Sequence, residues 1–334
     1  MRALVACVVA SVSVISGAAL LRIWWIREAT KRRWKAAKII IVDEEDFNEK
    51  KQILFRGGKS ALQVIMDFDY TITGQFLENG DMASSTHGVF SRSGLLPESF
   101  VQLERDLYEK YYQHEIDPNL TQEERFEYMK EWWTLAHENL VRHRITVPLI
   151  EECLHPLRSE IVLRHGCRQL LNLLQKNDIP LLVFSAGIAD IIERYMEQQG
   201  LHLDNVHILS NRMVMDEAGC LVAFQQPIVH SANKALLVDR AAHVLHPERA
   251  AFIVVGDHIH DALMWYAGKV TREAYLICRY SDSIPYAEVH LKVGLLNTNV
   301  SARLDEFKEV YDVIIVDDGP LDFLYDLILE ISKN

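Results

Sequence analysis

The chain has 334 residues, 49% hydrophobic and 25% charged, with 15 Gly and 9 Pro. That is a globular composition and excludes a disordered, collagen-like or disulfide-framework protein. The net charge is −12, but residues 1–40 carry eight Lys/Arg against Glu28 alone, which leaves −19 on the remainder. A body that acidic is a poor partner for polyanions, so no nucleic-acid polymer is expected as a ligand. The five cysteines, Cys7, Cys153, Cys167, Cys220 and Cys278, show no CxxC pair or zinc spacing. They read as small buried hydrophobes of a reduced, cytosolic body.

Residues 3–21 are uncharged, and Trp24, Trp25 and a basic cluster from Arg27 to Lys38 follow. At about 1.5 Å per residue the run matches the bilayer's hydrocarbon thickness. The pattern predicts an N-terminal transmembrane helix, with 1–38 as anchor and basic flank. Positive charge after the span puts the catalytic body in the cytoplasm. A cleaved signal peptide or an organellar import sequence, hence a secreted or organellar protein, is the alternative.

Residues 39–60 read as a linker with a short helix. Leu62–Met66, Ile179–Phe184, Ala250–Val255 and Tyr311–Val316 are short apolar runs that read as buried strands. His207–Leu209 and His290–Val293 add shorter ones, and 75–95 reads as a loop. From about 98 to 175 apolar residues recur at helical spacing, and Thr121 with Glu124 forms a capping box. Strands alternating with helices predict an α/β fold, a Rossmann-like parallel sheet flanked by helices. The helical block is too long for a crossover and reads as an inserted cap over 79–165, the core being 39–78 and 166–334.

Three strands end in polar residues: Asp67-x-Asp69-x-Thr71, Ser185-Ala186-Gly187, and Gly256-Asp257-x-x-x-Asp261. Ligands of open α/β sheets bind beyond the carboxyl ends of the strands, so these segments can converge. Clustered carboxylates repel unless a cation sits between them, and oxygen-only ligation suits Mg²⁺ in a phosphate site. Lys234 lies between the second and third segments as a point charge for a phosphate oxygen.

In this conjunction the sequence resembles the haloacid dehalogenase-like phosphohydrolases. It is more closely similar to the cytosolic 5′-nucleotidase III family, the pyrimidine and 7-methylguanosine-phosphate nucleotidases. The stretches that carry this are DFDYTIT (67–73), KYYQHEIDPNLTQEER (110–125), MKEWWTLAH (129–137), VFSAGI (183–188), NK (233–234) and GDHIHD (256–261). The resemblance spans roughly 50–330 and leaves the N-terminal segment outside.

The resemblance implies a HAD-like core and hydrolysis of nucleoside monophosphates (CMP, UMP, 7-methyl-GMP) through an aspartyl-phosphate, with Mg²⁺ as cofactor. Asp67 would be the nucleophile and Asp69 the acid and base. Asp67, Asp69, Asp257 and Asp261 would serve the metal, and Thr71, Ser185, Ala186 and Lys234 the phosphate. Glu115, Trp133, Phe76 and His87 would hold the base. Trp133 and Ala136 look like the 7-methylguanosine-type member, and a monomer is expected.

The family's fourth motif resembles G-D-S-x-G-D, whereas this chain has His258 and His260. If position 260 needs φ > 0, a histidine there costs on the order of 1 kcal/mol. Two other readings stay open: a phosphomonoesterase of the same fold acting on a non-nucleotide substrate, and a silent, membrane-tethered nucleotide-binding protein.

Overall fold

The computed structural model describes residues 38–334 except 118, 156–158, 202–203, 235–236, 238–239, 242, 267–268 and 270–287. The chain enters through strand β1 (Ile39–Ile41) and helix α1 (Glu44–Ala61). Asp43 caps α1, its Oδ1 accepting from the backbone N–H groups of Glu45 and Asp46 at 2.9 and 3.0 Å. The expected linker over 39–60 is therefore an edge strand and a long helix kinked at Gly58, whose φ is 61°. Three isoleucines are too short a run to show a period, and only their antiparallel pairing with a distant strand makes them β.

Strand β2 (Leu62–Met66) leads into a helical block: α2 (Gly88–Arg92), α3 (Glu98–Ile116), α4 (Gln122–Arg142) and α5 (Val147–Cys153). The core resumes with α6 (Cys167–Lys176), β3 (Leu181–Ile188), α7 (Ala189–Gln198) and β4 (Val206–Asn211). A hairpin of β5 (Met213–Met215) and β6 (Leu221–Phe224) follows. Then come β7 (Ala251–Gly256), β8 (Val289–Leu296), α8 (Val300–Val310), β9 (Val313–Val316) and α9 (Asp322–Ile331). Seven strands form one sheet in the order β1-β9-β8-β7-β2-β3-β4, parallel except for β1.

The central strands are buried on both faces, as continuous apolar runs require. Val64, Met66, Val183, Ile253 and Val255 face one core cluster, while Ile65, Leu182, Phe184, Phe252 and Val254 face the other. Register then sets the site. Met66 pairs with Val183 on one side and Val255 on the other. Asp67, Ser185 and Asp257 therefore gather toward the carboxyl ends of three neighbouring strands.

The helical block starts α4 with the expected capping box: Thr121 Oγ1 accepts from Glu124 N at 3.2 Å, and Glu124 Oε2 accepts from Thr121 N at 2.9 Å. The β5–β6 hairpin lies against this block. Leu221 N donates to Ile145 O at 2.7 Å, and Thr146 bridges Cys220.

The N-terminal transmembrane helix, and the membrane partner and membrane-anchored localisation drawn from it, are corrected. Among the described residues no helix is long and apolar enough to cross a membrane. The long helices α3 and α4 each carry several acids and bases, and a span in hydrocarbon tolerates few of these. The run 3–21 lies outside the described residues. An uncharged stretch of suitable length satisfies one condition for a span and does not establish one.

Candidate active site

Asp67 follows β2, and its N–H donates to Val255 O of the neighbouring strand at 3.0 Å. The chain then turns sharply. Tyr70 adopts φ 59°, and its N–H donates to Thr73 Oγ1 at 2.8 Å. This turn returns Asp69 beneath the cavity. Thr86 grips that carboxylate, its N–H donating to Oδ1 at 2.9 Å and its hydroxyl to Oδ2 at 2.7 Å. Burial, with Asp67 adding repulsion, outweighs these bonds and pushes the Asp69 carboxyl up to about 7.

Asp67, Asp257 and Asp261 form one acidic cluster, with one ligand oxygen from each within 4.8 Å of the others. Lys234, 3% exposed, lies among them: its Nζ is 2.8 Å from Asp67 Oδ1 and 2.7 Å from Asp261 Oδ1. Burial would lower this ammonium, but the two carboxylates outweigh it and hold the pKa above the ordinary value. One ammonium does not neutralise three acids. Burial and mutual repulsion raise Asp261 to about 6 and Asp257 well above the usual range. A buried all-oxygen donor set short of positive charge fits a hard divalent cation.

Gly256 permits this convergence, because a Cβ there would lie 2.2 Å from that of Asp261. His258 and His260 do not distort the loop. His260 is not among the positive-φ residues, so the anticipated strain is absent. His258 N donates to Asp261 Oδ2 at 3.1 Å, and His258 Nδ1 accepts from His260 N at 3.3 Å. Together these contacts cap the short turn Ile259–Met264.

The remaining expected residues are placed unevenly. Ser185 lines the cavity, and its Oγ accepts from Gly187 N at 3.0 Å. Ala186 also lines it, its carbonyl accepting from the Trp133 indole at 2.9 Å and from Asn211 Nδ2 at 2.8 Å. Thr71 is fully buried, its hydroxyl 3.5 Å from Asp257 Oδ1, which puts it behind the carboxylates. Glu115, Trp133 and His87 line the same cavity of about 720 Å³. Burial raises the Glu115 carboxyl, and it lowers His87 to about 4. The His87 and Trp133 rings meet edge to face at 6.2 Å. Phe76 is not brought in: it bridges Met82, and its N–H donates to Asp318 Oδ2 at 3.3 Å.

Two contributors were not legible in the sequence. Thr86 sits in a Ser/Gly-rich loop with no motif, and its bonds to Asp69 cross 17 positions. Arg164 is buried beneath the Asp67–Thr73 turn. It donates to the carbonyls of Thr71 (2.9 Å), Gly319 (3.0 Å) and Tyr70 and to Asn297 Oδ1 (3.0 Å), and it pairs with Asp318 at 3.0 Å. A single arginine far along the chain gives no spacing signal.

A model of the pyrimidine 5′-nucleotidase (UMPH-1) family matches residues 70–332. The 7-methylguanosine phosphate-specific 5′-nucleotidase of Gallus gallus is 33% identical over 267 residues, 79% of this chain and 86% of that protein. The human protein of that name is 32% identical over 280 residues, 83% of this chain and 87% of its own. The solved structure of cytosolic 5′-nucleotidase IIIB bound to cytidine superposes with a TM-score of 0.75 at 29% identity, covering 88% of this chain and 94% of that one. The word cytosolic in that name, and in the name of a Caenorhabditis elegans relative, runs against the expected membrane anchor. The motif resemblance and the match along the chain agree: this protein belongs to the pyrimidine 5′-nucleotidase (UMPH-1) family.

Proposed function

We propose that this chain hydrolyses nucleoside 5′-monophosphates to nucleoside and phosphate, with CMP, UMP and 7-methyl-GMP as substrates. The observation that carries the reading is the cluster of Asp67, Asp257 and Asp261 bridged by Lys234 at the end of the sheet. Named relatives act on 7-methylguanosine phosphate, and the solved neighbour holds cytidine.

Asp67 attacks phosphorus as its Oδ–P bond forms and the bond to the nucleoside 5′-oxygen breaks. Asp69 gives its proton to that leaving oxygen. A carboxyl held at about 7 still carries a proton near neutrality, which suits a donor. Asp69 then takes a proton from the water that cleaves the aspartyl-phosphate, and both carboxylates return to their starting states. Ser185, the backbone at Ala186, and Lys234 hold the phosphoryl oxygens. Asp67, the backbone at Asp69, Asp257 and Asp261 would hold Mg²⁺, which supplies charge neutralisation for the phosphate. Trp133 stacks on the base while Glu115 takes a hydrogen bond from it, and His87 packs at the edge of the ring. The helical block over 79–165 acts as the cap.

Phosphate release from CMP, UMP and 7-methyl-GMP tests the reading. Activity is expected with Mg²⁺, to vanish with EDTA and to return on re-addition. Turnover unaffected by EDTA would count against the metal, and no turnover by folded protein would count against the activity.

Gly187→Ala tests the floor of the site. The new methyl would lie 2.3 Å from Thr86 Oγ1 and 3.0 Å from Asp69 Oδ2. It must displace the bond that orients Asp69, so kcat is expected to fall about 10²-fold or more, the usual share of a positioned acid. Wild-type kcat in this variant would show that the Thr86–Asp69 contact is dispensable.

A further inference from the structure

The cavity runs on from the phosphate end along the groove between α3 and α4, where its wall carries a carboxylate with no part in the mechanism above. Glu104 lines the cavity with Tyr108, Trp133 and Ala136. On α3, Glu104 and Tyr108 are four residues apart and share a face; on α4, Trp133 and Ala136 are three apart and do the same. Asn139, three residues further along α4 and fully buried, fixes the acid: its Nδ2 donates to Glu104 Oε1 at 2.7 Å and to Phe100 O at 3.3 Å. A buried amide held from two sides sets one rotamer for Glu104.

The nearby cations are committed elsewhere. Arg92 pairs with Glu160 at 2.9 Å and donates to Met82 O, while Arg105 donates to Gln102 at 3.0 Å. Among the described residues no cation forms an ion pair with Glu104. Burial raises its carboxyl to about 7. A donor arriving with a ligand would offset the cost of ionising it.

The geometry points to Glu104 as a second base-reading carboxylate, which accepts a hydrogen bond from an N–H group on the edge of the base stacked at Trp133. An ionised carboxylate accepts only. It therefore favours bases with an exocyclic amino group, cytosine and 7-methylguanine, over uracil, which presents a carbonyl where cytosine carries its amine. A mispaired buried acceptor is penalised by about 10- to 100-fold in binding. Ala136 leaves the space between Trp133 and Asn139 through which the base edge reaches the acid. The inference rests on the nucleotidase reading. It is separate from Glu115, which lies three turns further along α3.

The test is kcat and KM of the full chain for CMP, UMP and 7-methyl-GMP, in wild type, Glu104→Gln and Glu104→Leu. Glutamine keeps an oxygen for Asn139 and guards against misfolding. Wild type is expected to prefer CMP and 7-methyl-GMP to UMP. Both variants should raise KM for those two about 10- to 100-fold while UMP and every kcat change less than about threefold. An unchanged CMP-to-UMP ratio in both variants, or an equal loss on all three substrates, overturns the inference and leaves the nucleotidase reading standing. A folded wild type inert on all three overturns that reading, and this inference with it.

Discussion

Asp67→Asn should abolish nucleotide hydrolysis, with kcat lower by at least about 10³-fold, because an amide cannot form the phosphoryl-enzyme bond and the nearby Asp69 carboxylate is held by Thr86. The fold should survive, and without added metal it should be no less stable. Asp67 is one of three clustered acids, and the Lys234 ammonium pairs with it and with Asp261. Removing its charge relieves the repulsion that raises Asp257 and Asp261. The paired measurement is phosphate release and thermal melting in EDTA. Lost activity with an equal or higher Tm is the expected result. Residual activity within tenfold of wild type would remove Asp67 from the chemistry. A large fall in Tm would mean that Lys234 needs Asp67 more than the acids repel one another.

Arg164→Met should be the most destabilising single change near the site. The guanidinium is 1% exposed and meets three carbonyls, the Asn297 amide oxygen and Asp318. Its loss leaves the buried Asp318 carboxylate without its cation, though still held by the N–H groups of Gln75 and Phe76, at about 3–5 kcal/mol, or a fall in Tm on the order of 10 °C. Activity should fall as well, because two of the carbonyls it holds, those of Tyr70 and Thr71, belong to the turn that carries Asp69. Adding Asp318→Asn should recover part of the stability by removing the stranded charge, but not the activity. A Tm within 2 °C of wild type for Arg164→Met, a shift of under about 1 kcal/mol, would show that water replaces the guanidinium and that the turn stands alone.

The sheet and much of the pocket were legible because their signals are local. LQVIM and AAFIVV are apolar runs too short for helices, followed by Asp67 directly and by Asp257 after one glycine. Glu115 and Trp133 stood in stretches specific enough to place them beside the cavity. Signals failed where a residue acts through tertiary contact. Thr86 and Arg164 touch the catalytic turn from positions with no spacing relation to it. Phe76 was placed by adjacency to the DFDYT turn, but the Asp318 carboxylate draws its backbone away. The β5–β6 hairpin, with an exposed face at Val214 and Val222, lacked a clean alternation to read. The N-terminal reading failed for another reason: hydropathy reports what a segment would tolerate, not where it resides.

The block containing α2 to α5 leaves the sheet after β2 and returns at β3, and these strands are hydrogen-bonded neighbours. Its two ends are therefore held together by the sheet itself. The entropy of closing such an excursion grows only with the logarithm of its length. The block can be lengthened, shortened or resequenced with little strain on the strands that carry Asp67, Ser185 and Asp257. Under the proposed function, choice of base and cleavage of phosphate would then lie on separable stretches of one chain. The two stretches still touch where the Trp133 indole donates to the Ala186 carbonyl and where Thr86 holds the Asp69 carboxylate.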